Sequence, residues 1–287
     1  MKLEGKRTLV TGASQGFGLA VARAFVEAGA SVMMCARGSE ELGRACEEVK
    51  SLAKGKARVA SMTADVARPE DVHHLTMTTV KELGGLDVVV CNAGVYGPKG
   101  SIDDVSWTEW EHAFAINVYG TVLVCREALA HMKAQRHGKI ILLSGGGATK
   151  PLPNLSAYAA SKAAVVRFGE TLAEETRGLG IDVNAVAPGA LNTRLLDEVL
   201  AAGPAKVGQQ FFAQSEKQKA EGGTPLAKGA ALCVFLASRE SDGITGKLIS
   251  AVWDPWEHFG SHLEKLQKTD VYTLRRIVPE DRDLELG

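Results

Sequence analysis

The sequence predicts a doubly wound α/β domain, a parallel sheet with helices on both faces in a single unit. Two observations carry that reading. Short apolar or β-branched runs recur at Arg7–Val10, Ser31–Cys35, Arg58–Met62, Leu86–Cys91, Lys139–Leu143 and Ile181–Ala187, each separated from the next by a helix-compatible stretch. Such alternation builds βαβ units whose strands are buried on both faces. The chain also has 287 residues, 45% of them hydrophobic, with a formal charge of −1, enough for a large core. The near-neutral balance gives no electrostatic bias toward nucleic acid or an anionic membrane. No long apolar region follows the opening MKLEGKRTLVTG and no uninterrupted apolar stretch approaches bilayer length, so neither secretion nor a membrane span is expected. Cys35, Cys46, Cys91, Cys125 and Cys233 lack CxxC spacing. They read as buried thiols in a reducing, cytoplasmic compartment, without a metal site or disulfide framework.

In open sheets of this class the ligand crevice lies beyond the carboxyl ends of the strands, and each motif of this chain falls just after a strand. After the first strand, Thr11-Gly12-Ala13-Ser14-Gln15-Gly16-Phe17-Gly18 runs into a helix over Leu19–Ala28. Glycines at such a turn let backbone N–H groups and the helix dipole meet a pyrophosphate, so a dinucleotide is the natural ligand. The spacing is GxxxGxG and not GxGxxG, and a simple tight turn is the alternative. The second strand ends in Ala36-Arg37-Gly38. An acidic residue there would hold a ribose 2′-hydroxyl, whereas Arg37 suits the 2′-phosphate of NADP. An arginine that merely caps the strand or lies across adenine would permit NAD as well.

After the third strand, Asp65-Val66 offers a carboxylate for an adenine amino group or, equally, a helix N-cap ahead of Pro69. Asn92-Ala93-Gly94, after the fourth, lets backbone pass close to a ribose and is also good turn chemistry. Asn117 lies in an apolar helical run from about Trp107, where its amide needs partners, holds a water or distorts the helix. In the stretch from Lys139 to Val166 a strand gives way to Ser144 and three glycines, then to a helix starting near Ser156. Tyr158 and Lys162 are four residues apart on that helix and share a face. An adjacent cation lowers a phenol's pKa from its usual value near ~10, which makes Tyr158 a candidate general acid/base. A solvated surface pair is the bland alternative.

The ordered set TGASQGFG, Asp65-Val66, CNAG, Asn117, YAASK and Pro188-Gly189 resembles the short-chain dehydrogenase/reductase family in its compact branch, over roughly residues 6 to 251. The resemblance implies a Rossmann-type fold and an NAD(P)-dependent oxidoreductase acting on a small-molecule carbonyl or secondary alcohol. It assigns proton transfer to Tyr158, ribose binding and phenol activation to Lys162, and placement of a water to Asn117. It also assigns the nicotinamide carboxamide to the segment Pro188-Gly189-Ala190-Leu191-Asn192-Thr193, with Thr193 as hydroxyl donor. A homodimer or homotetramer is expected on the same ground, and the 190–225 segment is expected to form a substrate lid with Phe211 and Phe212 as an apolar pair.

Two positions depart from the family. Its usual serine, which holds the substrate oxygen, is Gly145 here, with Ser144 one residue early. Adjacent strand residues point to opposite faces, so Ser144 substitutes only through a register shift. Otherwise a backbone N–H or Thr149 holds the oxygen, or the chain is a weak or specialised catalyst. NADPH-dependent reduction is the expected activity, and a dinucleotide-binding protein with little redox turnover is the alternative. The last strand, Ile244–Ser250, lacks the family's usual acidic-Gly-Gly ending. An extension over 252–287 is expected to contain a short helix at His262–Lys268 and to dock through Trp253, Trp256 and Tyr272 on the cleft or on a partner subunit.

Overall fold

The structure, a computed structural model, describes residues 1–284; residues 285–287, the end of the extension, lie outside it. The elements in order are β1 (Arg7–Thr11), α1 (Gly16–Glu27), β2 (Ser31–Ala36), α2 (Ser39–Ser51), β3 (Val59–Thr63), α3 (Pro69–Leu83), β4 (Val88–Cys91) and α4 (Trp107–Phe114). They continue as α5 (Gly120–Gln135), β5 (Gly138–Leu143), α6 (Ser156–Glu175), β6 (Ile181–Ala187), α7 (Arg194–Ala202), α8 (Pro204–Val207), α9 (Gln209–Glu221), α10 (Leu226–Ala237), β7 (Lys247–Ser250) and α11 (Leu263–Lys268). All strands pair in parallel in the order β3-β2-β1-β4-β5-β6-β7. The order reverses between β1 and β4, which opens the crevice beyond their carboxyl ends.

Strand side chains alternate between two cores. Val10, Val32, Met34, Val88 and Val90 join α1, α2 and α10 on one face. Leu9, Met33, Val89, Ile140 and Leu142 join α3, α5 and α6 on the other. Both faces are covered, which explains runs as uniformly apolar as the VVVC of β4. Just ahead of that strand the Asp87 carboxylate accepts from Arg7, whose Nε and Nη2 donate at 2.7 and 2.6 Å. β7 is likewise shorter than its apolar run. Gly246 takes φ +71, and the Thr245 hydroxyl oxygen accepts from the Val183 N–H.

The helical run Trp107–Gln135 is 29 residues long and apolar enough to match a membrane span by length and composition. In the fold its α5 portion buries Val124, Cys125, Ala128 and Met132 in the second core. Beyond β7 the extension lies on the chain's own core and sheet edge. Trp256, Phe259 and Leu266 are buried, the Trp256 ring is 5.6 Å from that of Phe235, and the Phe259 ring is 5.2 Å from that of Tyr272. The Leu248 N–H donates to the Tyr272 carbonyl at 2.7 Å, and the Lys247 ammonium donates to the Thr269 and Val271 carbonyls. This covers the edge strand, which would otherwise expose unpaired backbone groups. Trp253 is 86% exposed, so its ring is not an anchor among the described residues.

Candidate active site

The glycine turn after β1 is shaped by close approach. Gly12 and Gly16 have φ of +64 and +58, a region that side chains resist. A Cβ on Gly18 would stand 2.2 Å from the Gly12 carbonyl oxygen, so α1 begins against the turn only because position 18 has no side chain. No side chain caps the first turn of α1, and its free N–H groups face the crevice end of the sheet. Gln15 is exposed at the N-cap and Ser14 is half-buried. Phe17 is a core residue: it is buried against α10, where a Cβ on Gly229 would stand 2.7 Å from its ring, and only its backbone belongs to the cradle.

Around this turn stand the other expected binding residues. Arg37 is exposed at the end of β2 and has no ion-pair or side-chain hydrogen-bond partner among the described residues. Asp65 uses Oδ1 to accept from the Ala67 N–H at 3.0 Å, the turn-capping role that competes with adenine binding. Val66 is buried beneath Gly120. The Asn92 side chain donates to the Thr11 and Gly12 carbonyls at 2.9 and 3.0 Å and so ties the end of β4 to the glycine turn, while the Ala93 N–H donates to the Thr11 hydroxyl. Pro188 packs near Gly229, Gly189 takes φ +100, Leu191 packs on the first core, and Thr193 forms the N-cap of α7. A Cβ on Gly16 would lie 3.5 Å from the Thr193 methyl, so this segment passes across the glycine turn. The exposed cation, uncapped helix start and side-chain-free turn fit an elongated anionic dinucleotide.

Tyr158, Lys162 and Asn117 converge. Lys162 is buried and its Nζ donates to the Leu143 carbonyl at 2.8 Å; it lies 5.6 Å from the centre of the Tyr158 ring. A Cβ on Gly94 would stand 3.2 Å from Asn117 Oδ1 and 3.5 Å from Lys162 Nζ, so this glycine admits both groups to one volume. Asn117 distorts its helix, sitting in a π-helical segment over Ala115–Tyr119. Its Oδ1 accepts from the Val95 N–H, and its Nδ2 donates to the Val95 carbonyl and the Ser161 hydroxyl, all at 2.9 Å. The amide therefore clamps the loop after β4, and its side chain is committed to protein partners.

The electrostatics correct one expectation. Burial, then the neighbouring Tyr96, pushes the Tyr158 phenol above its ordinary value, so the lysine does not hold it low in the protein by itself. Burial brings Lys162 down to about 8. A second correction concerns Ser144. It is buried, with its hydroxyl donating to the Lys162 backbone carbonyl at 3.4 Å, and the register shift that would turn it toward Tyr158 does not occur. Gly145 is the residue that faces the phenol: a Cβ there would lie 3.0 Å from Tyr158 Oη. Thr149 is exposed, after a 3₁₀ turn over Gly146–Ala148.

Sequence reasoning passed over Tyr96 and Lys99, in the loop after β4. The Tyr96 ring lies 4.5 Å from the Tyr158 ring, centre to centre, and Lys99 Nζ is 5.7 Å from the Tyr96 ring and 3.5 Å from Glu198 of α7. Their position just beyond a strand's carboxyl end was the available signal. The 190–225 segment is broken into three helices at Gly203 and Gly208, both at positive φ, with Phe211 and Phe212 half-buried.

The short chain dehydrogenase family model matches residues 6–202. Glucose 1-dehydrogenase of Gluconobacter oxydans is 36% identical over 253 residues, covering 86% of this chain and 91% of that protein. A crystal structure of NAD+-bound xylitol dehydrogenase matches with a TM-score of 0.77 and 25% identity, over 87% of this chain and 98% of the other. A gluconate 5-dehydrogenase from Burkholderia cenocepacia, in complex with NADP and tartrate, matches with a TM-score of 0.76 and 26% identity, over 87% and 94%. On this fold, this constellation and these likenesses, the chain belongs to the short-chain dehydrogenase family and is an oxidoreductase of CH–OH and C=O groups.

Proposed function

We propose that this chain uses NADPH to reduce a small-molecule carbonyl, with Tyr158 as the proton donor. A nicotinamide dinucleotide is the cofactor, and the similar solved structures include one bound to NAD+ and one bound to NADP. Arg37, exposed at the end of β2 and without a partner among the described residues, stands where an acidic residue would select NAD, and so supports NADP. When bound, the dinucleotide supplies the hydride. The uncapped start of α1 and the Gly12–Gly18 turn hold its pyrophosphate, and Gly94 lets its ribose approach Lys162. The segment 188–193 orients its far end.

The observation that carries the reading is the buried Tyr158–Lys162–Asn117 convergence. Tyr158 keeps its proton at neutral pH, as an acid that protonates a developing alkoxide must. Lys162, held by the Leu143 carbonyl, brings positive charge within 5.6 Å of the phenol ring, where it favours the tyrosinate left behind. Exposed Trp107 and Tyr119 on the outer side of the α4–α5 run support pairing of two copies through that face. Five buried free thiols fit a reducing compartment. The non-redox alternative gains nothing from the comparisons, whose named relatives are dehydrogenases.

Tyr158→Phe is expected to lower turnover by about 10²–10⁴-fold while leaving dinucleotide affinity nearly intact; turnover close to wild type would remove Tyr158 from the assigned role. Arg37→Asp is expected to reverse the NADPH/NADH affinity ratio, read by fluorescence titration. An unchanged ratio would end the use of Arg37 as a 2′-phosphate ligand.

A further inference from the structure

A carbonyl reductase gains from a second hydrogen-bond donor at the substrate oxygen, since charge builds there as hydride arrives. Position 145 has no side chain to supply one, although its vacant Cβ direction points at Tyr158 Oη from 3.0 Å. Ser144 is turned to the backbone of α6. From the loop after β4, Tyr96 brings a second phenol group against Tyr158, with ring centres 4.5 Å apart and the planes tilted by 58°.

Tyr96 is held in place from both sides of its own backbone. The Asn117 amide binds both the N–H and the carbonyl of Val95. Gly97, at φ +74, is wedged so closely that a Cβ would stand 2.7 Å from that of Ala113 and 3.4 Å from that of Ala157. Lys99 lies against the Tyr96 ring and is tied to Glu198 on α7. A side chain fixed this firmly beside the reacting group is preorganised, the condition under which a single donor is worth most.

We propose that the Tyr96 hydroxyl donates a hydrogen bond to the substrate oxygen, supplying the contact that Gly145 lacks and making Tyr96 a catalytic residue. Tyr96 keeps its proton throughout; the proton that ends on the product oxygen comes from Tyr158. With ring centres 4.5 Å apart the two phenol groups feel each other, and Tyr96 adds to the upward push that burial gives Tyr158. The proposal rests on the carbonyl-reductase reading above.

The test measures kcat and KM for wild type, Tyr96→Phe, and Tyr96→Phe combined with Gly145→Ser, using NADPH and a panel of cyclic ketones, aldoses and aromatic aldehydes. Phenylalanine preserves the ring packing, so a merely structural Tyr96 leaves kcat unchanged, and that result overturns the proposal. The expected result is a loss in kcat of about 10²-fold or more with dinucleotide affinity unchanged. A loss confined to the dinucleotide KM also overturns it. The serine at 145 is compatible with the extended backbone there, φ 179, if the Tyr158 oxygen yields by a few tenths of an ångström. The double variant is expected to recover kcat relative to Tyr96→Phe alone, and no recovery overturns the equivalence of the two positions. A wild type that turns over nothing on the panel overturns the reductase reading and this proposal together; turnover unaffected by Tyr96→Phe overturns this proposal alone.

Discussion

Lys162 is an ammonium buried to within 6% of full enclosure, with one carbonyl partner, and burial brings its pKa down from the ordinary 10.5 to about 8. The folded chain therefore disfavours the charged form relative to the unfolded chain. Below pH ~8 both states hold the proton and the folded state bears the full penalty. As pH rises from about 8 toward 10.5 the unfolded state binds more protons than the folded one, so this residue's contribution to stability rises with pH. Lys162→Met should accordingly gain in thermal midpoint relative to wild type at neutral pH, in the cofactor-free protein, and lose that relative gain across this window. A wild-type-minus-variant difference that is flat from pH 7 to ~10.5 would contradict it. At this scale the sequence was informative where function follows from helix spacing, as for Tyr158 and Lys162. It was silent on Tyr96, whose placement depends on Asn117 reaching across from the π segment to Val95, a contact between positions 22 apart. The upward direction of the Tyr158 shift was not legible either, because burial and the approach of Tyr96 are set by the whole fold.

Among the elements, the glycine turn and the extension show what a motif reveals and what it hides. Gly12, Gly16 and Gly18 were legible as a cradle, and the structure supplies the reason for each, two by positive φ and one by contact with a carbonyl oxygen. The extension was legible only as a short helix with aromatic anchors. Its docking place was not, because the surface it covers is assembled from β7, α10 and α6, where the Leu274 N–H donates to Glu170, and nothing in its own residues marks that surface. The 3₁₀ stretch Trp256–His262 and α11 close one core with Trp256, Phe259 and Leu266. Phe259→Ala should therefore cost about 3–5 kcal/mol of folding stability, read as a fall in the thermal midpoint. A midpoint unchanged from wild type would mean that the extension is not part of the cooperative core.

Across the whole molecule, the strand order places every expected binding segment at one end of the sheet. The turn after β1, the residues after β2 and β3, the Asn92–Gly94 segment, and the 188–193 segment all follow carboxyl ends around the switch between β1 and β4. The alternation of apolar runs made this topology readable, since buried parallel strands leave a signal in composition alone. This arrangement is suited to bind a reduced dinucleotide and to pass its hydride to a carbonyl. The most direct measurement is calorimetric titration of the purified protein with NADPH and NADH, followed in the same preparation by loss of nicotinamide absorbance against a panel of ketones and aldehydes. Tighter binding of NADPH than of NADH and turnover of at least one carbonyl are expected; binding without turnover, or no binding at all, would rule out the carbonyl-reductase assignment.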